Sequence, residues 1–315
     1  MLNADKAHLW EKDIAISVGM FNAWFLQFAP VTFQATRIKV TNDVSRAFDC
    51  TNHFRELTPE TLRENPWVLP TLRMSTAPPL ARDRLTGLAG VNRTLIQSME
   101  VGARPLRRDA ELLAQDLKRI CDIIHKLLDH ELLPWLRDGT MISDPEKMRA
   151  ATIIADRLCG AVADPIIRNA QEHRQLSLIE KYLTSWGYTK GAHYSSRAIT
   201  EMEPGTFSFR VNVSVGHEKR VNIPIDVVIQ PRRPQPNKFP ILIEAKSAGD
   251  FTNTNKRRKE EATKIRQLRA IYGPDVQLVL FLCGYFDSGY LGYEAAEGLD
   301  WVWEHRIEDL LQLGI

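Results

Sequence analysis

Two short apolar runs, 221–229 (Val-Asn-Ile-Pro-Ile-Asp-Val-Val-Ile) and 239–246 (Phe-Pro-Ile-Leu-Ile-Glu-Ala-Lys), constrain this chain more than any other part of it. Their β-branched residues suit a pleated surface and their prolines lie near the starts, so both predict buried strands. Yet they carry Asp226, Glu244 and Lys246. An unpaired charge in a buried strand is costly, so such charges are expected only where they are used. Glu244 and Lys246 are two residues apart, and the two-residue period of a strand puts them on one face. Two carboxylates across a strand pair, with a lysine beside one of them, can hold a divalent cation and activate water.

Phosphodiester hydrolysis at neutral pH needs a strong nucleophile and a way to absorb negative charge, and Mg²⁺ answers both needs. Mg²⁺ takes hard oxygen ligands and keeps several waters, so few protein donors suffice. Asp226 is read as the first ligand, Glu244 as the second and the backbone carbonyl of Ala245 as the third. Lys246 orients or deprotonates the attacking water and stabilises the developing charge.

The 315 residues are enough for one large domain or two modest ones, and a net charge of +2 gives no global sign of a nucleic-acid partner. Cys50, Cys121, Cys159 and Cys283 are scattered, without a CxxC pair, and read as reduced core residues. The histidines show no metal-ligand spacing. The charged N-terminus is unlike a signal peptide, and no uncharged apolar run is taken to approach the length of a membrane span, so the chain reads as soluble and cytoplasmic.

Hydrophobic spacing predicts helices at 14–28 (stopping before Pro30), 109–136, 144 to about 163, and 166–186. Strands are expected at 206–215, 221–229, 241–246 and 276–283, with a charged helix at 255–272 before Gly273-Pro274. The organisation is therefore a mostly helical region, 1–163, followed by an α/β domain, 164–315.

The residues Pro224-Ile225-Asp226 and Glu244-Ala245-Lys246 resemble the PD-(D/E)xK nuclease superfamily, with one extra residue between Pro and Asp. The wider chain resembles the XamI family of type II restriction endonucleases, through 69–85 (Leu-Pro-Thr-Leu-Arg-Met-Ser-Thr-Ala-Pro-Pro-Leu-Ala-Arg-Asp-Arg-Leu) and 241–261. The resemblance implies an α/β fold with a restriction-endonuclease-like core, a mixed central sheet flanked by helices. It also implies Mg²⁺-dependent cutting of both strands of double-stranded DNA at a short palindrome, GTCGAC in the family's namesake. A palindrome is most simply read by a homodimer, and a methyltransferase would protect the host's DNA. Nucleases of this fold often place a Glu from the preceding helix beside the metal, which nominates Glu172. Glu260 and Glu261 are given no role, because Glu244 already fills the position that such a helix carboxylate would serve.

The segment 247–269 concentrates Lys and Arg behind the catalytic lysine. Ser247, Asn253, Asn255, Lys256, Arg257 and Arg258 are nominated for DNA contact, by charge neutralisation or by bidentate base contacts. Arg73, Arg82 and Arg84, around Pro78-Pro79, form a second nominated surface. Two other readings stand beside restriction: a structure-selective repair nuclease on the same core, and a DNA-binding module without catalysis.

Overall fold

The computed structural model describes residues 2–103, 109–191, 199–216, 221–234, 239–252 and 254–315, with the backbone only of Asp138 and residues 255–258. The first part of the chain is helical: α1 (Ala7–Cys50), α2 (Pro59–Glu64), α3 (Leu69–Met74), α4 (Arg82–Ala89), α5 (Arg93–Glu100), α6 (Ala110–Leu127), α7 (Trp135–Asp138) and α8 (Asp144–Ser185). Then come β1 (Thr189–Lys190), β2 (Thr206–Val215), β3 (Val221–Gln230), β4 (Ile241–Ala248), α9 (Thr254–Tyr272), β5 (Leu278–Gly284), α10 (Ser288–Ala296) and β6 (Asp300–Trp303). The protein is a mixed α/β structure.

Pro30 was expected to end a helix and does not, and the helices read separately at 144 to about 163 and 166–186 are one. Pro30 lies inside the 44-residue α1 and Pro165 inside the 42-residue α8. A proline removes one backbone hydrogen bond and crowds the preceding turn, but both helices run through. The predicted helix 109–136 is shorter for the opposite reason. At its end the Leu127 carbonyl accepts from Ala77 N (2.8 Å) and Leu128 bridges Thr76, so contacts distant in sequence stop it.

Two compact units emerge, one of residues 1–28 with 168–315 and the other of 29–167. The sequence reading grouped residues 1–163; in the structure the first 28 pack in the same unit as the sheet. The 29–167 unit is all helical around a core that includes Val44, Phe48, Leu72, Leu85, Ile96, Ile120 and Ile154. The expectation about apolar runs also needs correction. Residues 14–36 carry no charge, and α1 is long and apolar enough to cross a membrane, with a mean hydropathy of 1.5 over its best 18 residues. In this fold its polar positions are in use: Ser17 Oγ accepts from Gly284 N (2.8 Å) and Asn22 Oδ1 from the Tyr285 hydroxyl (3.0 Å).

The sheet runs in the order β1-β2-β3-β4-β5-β6, antiparallel at β2/β3 and β3/β4 and parallel elsewhere. Alternation along β4 sends Ile241 and Ile243 to a core shared with Leu176, Ile179 and Leu183 of α8. Leu242 goes to the other face, with Ile265 and Leu268 of α9. Helices thus cover both faces, as the near-continuous apolar character of β4 and β5 requires. The odd-numbered residues of β2 and β3 change sides along the strands. Phe207, Phe209, Val227 and Ile229 pack on the α8 side, whereas Val211, Val213, Ile223 and Ile225 pack on the α9 side. The sheet curls there, and Asp226 sits at the changeover.

Candidate active site

The site forms where β3 and β4 part. They pair at Ile229↔Ile241, Val228↔Leu242 and Val227↔Ile243. The next positions in this register are Asp226 and Glu244, so both carboxylates stand at the mouth of the fork. Asp226 Oδ2 accepts the Ala245 N–H at 2.9 Å, taking the place of a missing ladder bond. A strand residue's N–H and C=O leave on the same side, which turns the Ala245 carbonyl toward the fork as well.

Alternation sends Glu244 and Lys246 to the α9 face, and there they meet two residues of that helix. Glu244, 2% exposed, lies with Oε2 3.3 Å from Lys246 Nζ and Oε1 2.9 Å from Lys264 Nζ. Lys246 Nζ also reaches Glu261 Oε1 at 2.8 Å, and Glu261 has no solvent exposure. Glu261 and Lys264 are one turn apart and border the Ile265 and Leu268 stripe that packs on the sheet. Gln175 of α8, also buried, donates to the carbonyls of Lys246 and Phe281, both at 3.3 Å, and so ties β4 to β5 behind the site.

Burial raises the Asp226 carboxyl above its ordinary range, against the Ala245 N–H and Lys246, which pull it down. Burial likewise pushes Glu244 up to about 7, with Lys246 opposing and Asp226 adding to the rise. For Lys246 burial works against the charge, but Glu261 and Glu244 outweigh it and hold the ammonium well above the usual lysine range. The geometry therefore favours a charged Lys246 over one that accepts a proton.

Glu172 lies on the stretch of α8 in the sheet unit and pairs through Oε1 with Arg210 at 2.9 Å. Its charge is among those that raise Asp226. Arg210 has φ +53 within β2, and its register partner would be Asp226, the position skipped between Phe209↔Val227 and Val211↔Ile225. An arginine in this left-handed region costs about 1–2 kcal/mol. Backbone strain thus stands directly across the sheet from a site carboxylate.

The structure brings together Asp226, Glu244, Ala245 and Lys246, and adds Glu261, Lys264 and Arg210, which the sequence reading did not nominate. Glu261, given no role in the sequence reading, is buried against Lys246. Its signal was readable, since it lies four and seven residues before Ile265 and Leu268, on the face of α9 turned to the sheet. Among the described residues no three His, Cys, Asp or Glu side chains gather as a metal ligand set.

Ser247 continues β4 beside the site, in register with Cys283. Asn253, and the side chains of Asn255, Lys256, Arg257 and Arg258, lie outside the described residues. In the helical unit, Arg73, nominated for DNA contact, faces inward. It is buried, its guanidinium pairs with Glu100 at 2.5 Å and donates to the Leu80 carbonyl, and so its donors are turned inward. Arg82 and Arg84 are exposed on α4, and the Asp83 between them pairs with Arg93 at 3.4 Å.

Comparison with known proteins matches residues 52–303 to the XamI restriction endonuclease family. The type II restriction enzyme SalI of Streptomyces albus G is 55% identical over 314 residues, covering 100% of both chains. Among solved structures, protein VC1899 from Vibrio cholerae aligns with 87% of this chain and 55% of that one, at 16% identity and a TM-score of 0.28. That likeness carries no argument.

Proposed function

This chain belongs to the XamI restriction endonuclease family, and from that membership and the fork geometry we propose that it is a type II restriction endonuclease with a PD-(D/E)xK core. It cuts both strands of double-stranded DNA at a short palindrome, with GTCGAC the site that the family resemblance carries. The observation that carries the reading is the parting of β3 and β4 at Asp226 and Glu244, with Lys246 beside Glu244.

The donors at the fork fit Mg²⁺: two carboxylates and a strand carbonyl are hard oxygens, and a cation that keeps its own waters needs no more. Asp226, Glu244 and the Ala245 carbonyl would hold it, and Glu172 is the further candidate once it leaves Arg210. When bound, the ion lowers the pKa of a water and neutralises phosphate oxygens. Lys246, kept charged by Glu244 and Glu261, orients that water and steadies charge developing on the phosphate; Glu261 positions the lysine. Ser247, Asn253, Asn255, Lys256, Arg257 and Arg258 lie on the segment that leaves the site, and with Arg82 and Arg84 they are the proposed DNA contacts. A palindromic site suits a homodimer acting in the cytoplasm, with a companion methyltransferase shielding host DNA.

Digestion of phage lambda DNA with Mg²⁺, against an EDTA control, tests this. Discrete Mg²⁺-dependent fragments are expected; a smear refutes sequence specificity, and intact DNA refutes nuclease action. Asp226→Ala and Lys246→Ala should abolish cleavage while the proteins stay folded and bind DNA. Cleavage near the wild-type rate by either variant would overturn the site assignment.

A further inference from the structure

We infer that Lys264 is a resident counter-ion of Glu244, holding in the metal-free protein the side of that carboxylate which a divalent cation would take, so that metal loading is an exchange in which this ammonium leaves. The inference rests on the reading of Glu244 as a metal ligand.

Glu244 is buried and has a lysine on each oxygen, Lys264 at Oε1 (2.9 Å) and Lys246 at Oε2 (3.3 Å). A Mg²⁺–oxygen bond of about 2.1 Å needs the approach to an oxygen that the hydrogen-bonded ammonium now fills, and two cations on one oxygen repel. One lysine has to yield, and the two are not held alike. Lys246 has a second carboxylate, Glu261, at 2.8 Å. Lys264 has, besides Glu244, the neutral Pro224 carbonyl at 3.3 Å, and its side chain keeps 22% exposure. Its four-carbon stem lets the charged end swing to solvent without moving α9. The buried carboxylate is then matched in both states, by the ammonium without metal and by the metal with it, and at no point is its charge left alone in the interior. The consequence is a metal affinity lower than the fork would otherwise have.

The test is titration calorimetry of the full-length protein with Mn²⁺ alone, without DNA. Lys264→Met and Lys264→Gln should bind Mn²⁺ about tenfold tighter than the wild type, the size of one charged hydrogen bond no longer broken. Lys264→Arg, which keeps the charge, should bind as the wild type does. Circular dichroism melts check folding, and the Gln variant, which keeps a donor for Pro224, serves if the Met variant fails to fold. No gain in affinity for the neutral variants, or an equal gain for the Arg variant, overturns the inference. Glu244→Gln separates it from the underlying reading. If that variant loses Mn²⁺ binding while the neutral Lys264 variants are unchanged, only the counter-ion role falls; if it binds Mn²⁺ fully, the ligand assignment itself falls.

Discussion

In metal-free conditions Glu244→Gln should make the protein more stable, by an amount that depends on pH. Burial pushes the Glu244 carboxyl from an ordinary 4.5 to about 7. In the unfolded chain the proton is lost near the ordinary value, and in the fold it is kept until about 7. Between those limits the folded protein binds more protons than the unfolded one, so stability falls as pH rises. The contribution is fully present below 4.5 and lost as pH passes through the folded value. At about 1.4 kcal/mol per pH unit the gap amounts to about 3 kcal/mol. Glutamine has the shape and neutrality of the protonated side chain and escapes the decline. Urea unfolding in EDTA from pH 4.5 to 8.5, followed on both proteins, should show curves that coincide at the acid end and separate by about 3 kcal/mol above pH 7. Carboxylates distant from Glu244 titrate equally in both and cancel. Added Mg²⁺ should stabilise the wild type and not the variant, closing the gap. A variant less stable than the wild type at pH 8 would refute the reasoning, because the pairs with Lys246 and Lys264 would then outweigh burial.

At Arg210 the left-handed backbone should reverse a usual order: in an ordinary strand glycine is less stable than alanine by about 0.5–1 kcal/mol, but Arg210→Gly should be more stable than Arg210→Ala. Chemical denaturation of the two variants measures this, and an alanine variant as stable as the glycine one would remove the strain from the account. Arg73→Met leaves Glu100 and the Leu80 carbonyl without their inward donor and should cost about 3 kcal/mol, the scale of a broken buried ion pair. Arg82→Ala and Arg84→Ala should stay within about 0.5 kcal/mol of the wild type while lowering the salt dependence of DNA binding by about one ion each. A stable Arg73→Met protein that has lost DNA affinity would restore Arg73 as a contact.

The parts legible in the sequence are those set by local covalent geometry. The two-residue period of a strand puts Glu244 and Lys246 on one face wherever β4 lies. The β-branched runs of β3 and β4 can be read as strands, and the stripe of α9 as a helix, without any knowledge of their neighbours. What these rules leave open is decided by packing. Pro30 and Pro165 lie inside helices that local rules would divide there. Arg73 is turned inward by Glu100, which lies on another helix, and by the Leu80 carbonyl. The spacing of Glu261 to Ile265 and Leu268 marks it as sheet-facing, but that it and Lys264 meet Glu244 and Lys246 follows from α9 crossing that face of β4, a relation between segments. The sequence by itself therefore determined that Glu244 and Lys246 share one face of a strand, since spacing along a strand is covalent. Tertiary structure alone decided which charges face them, since a buried carboxylate takes its partner from whichever element packs against it.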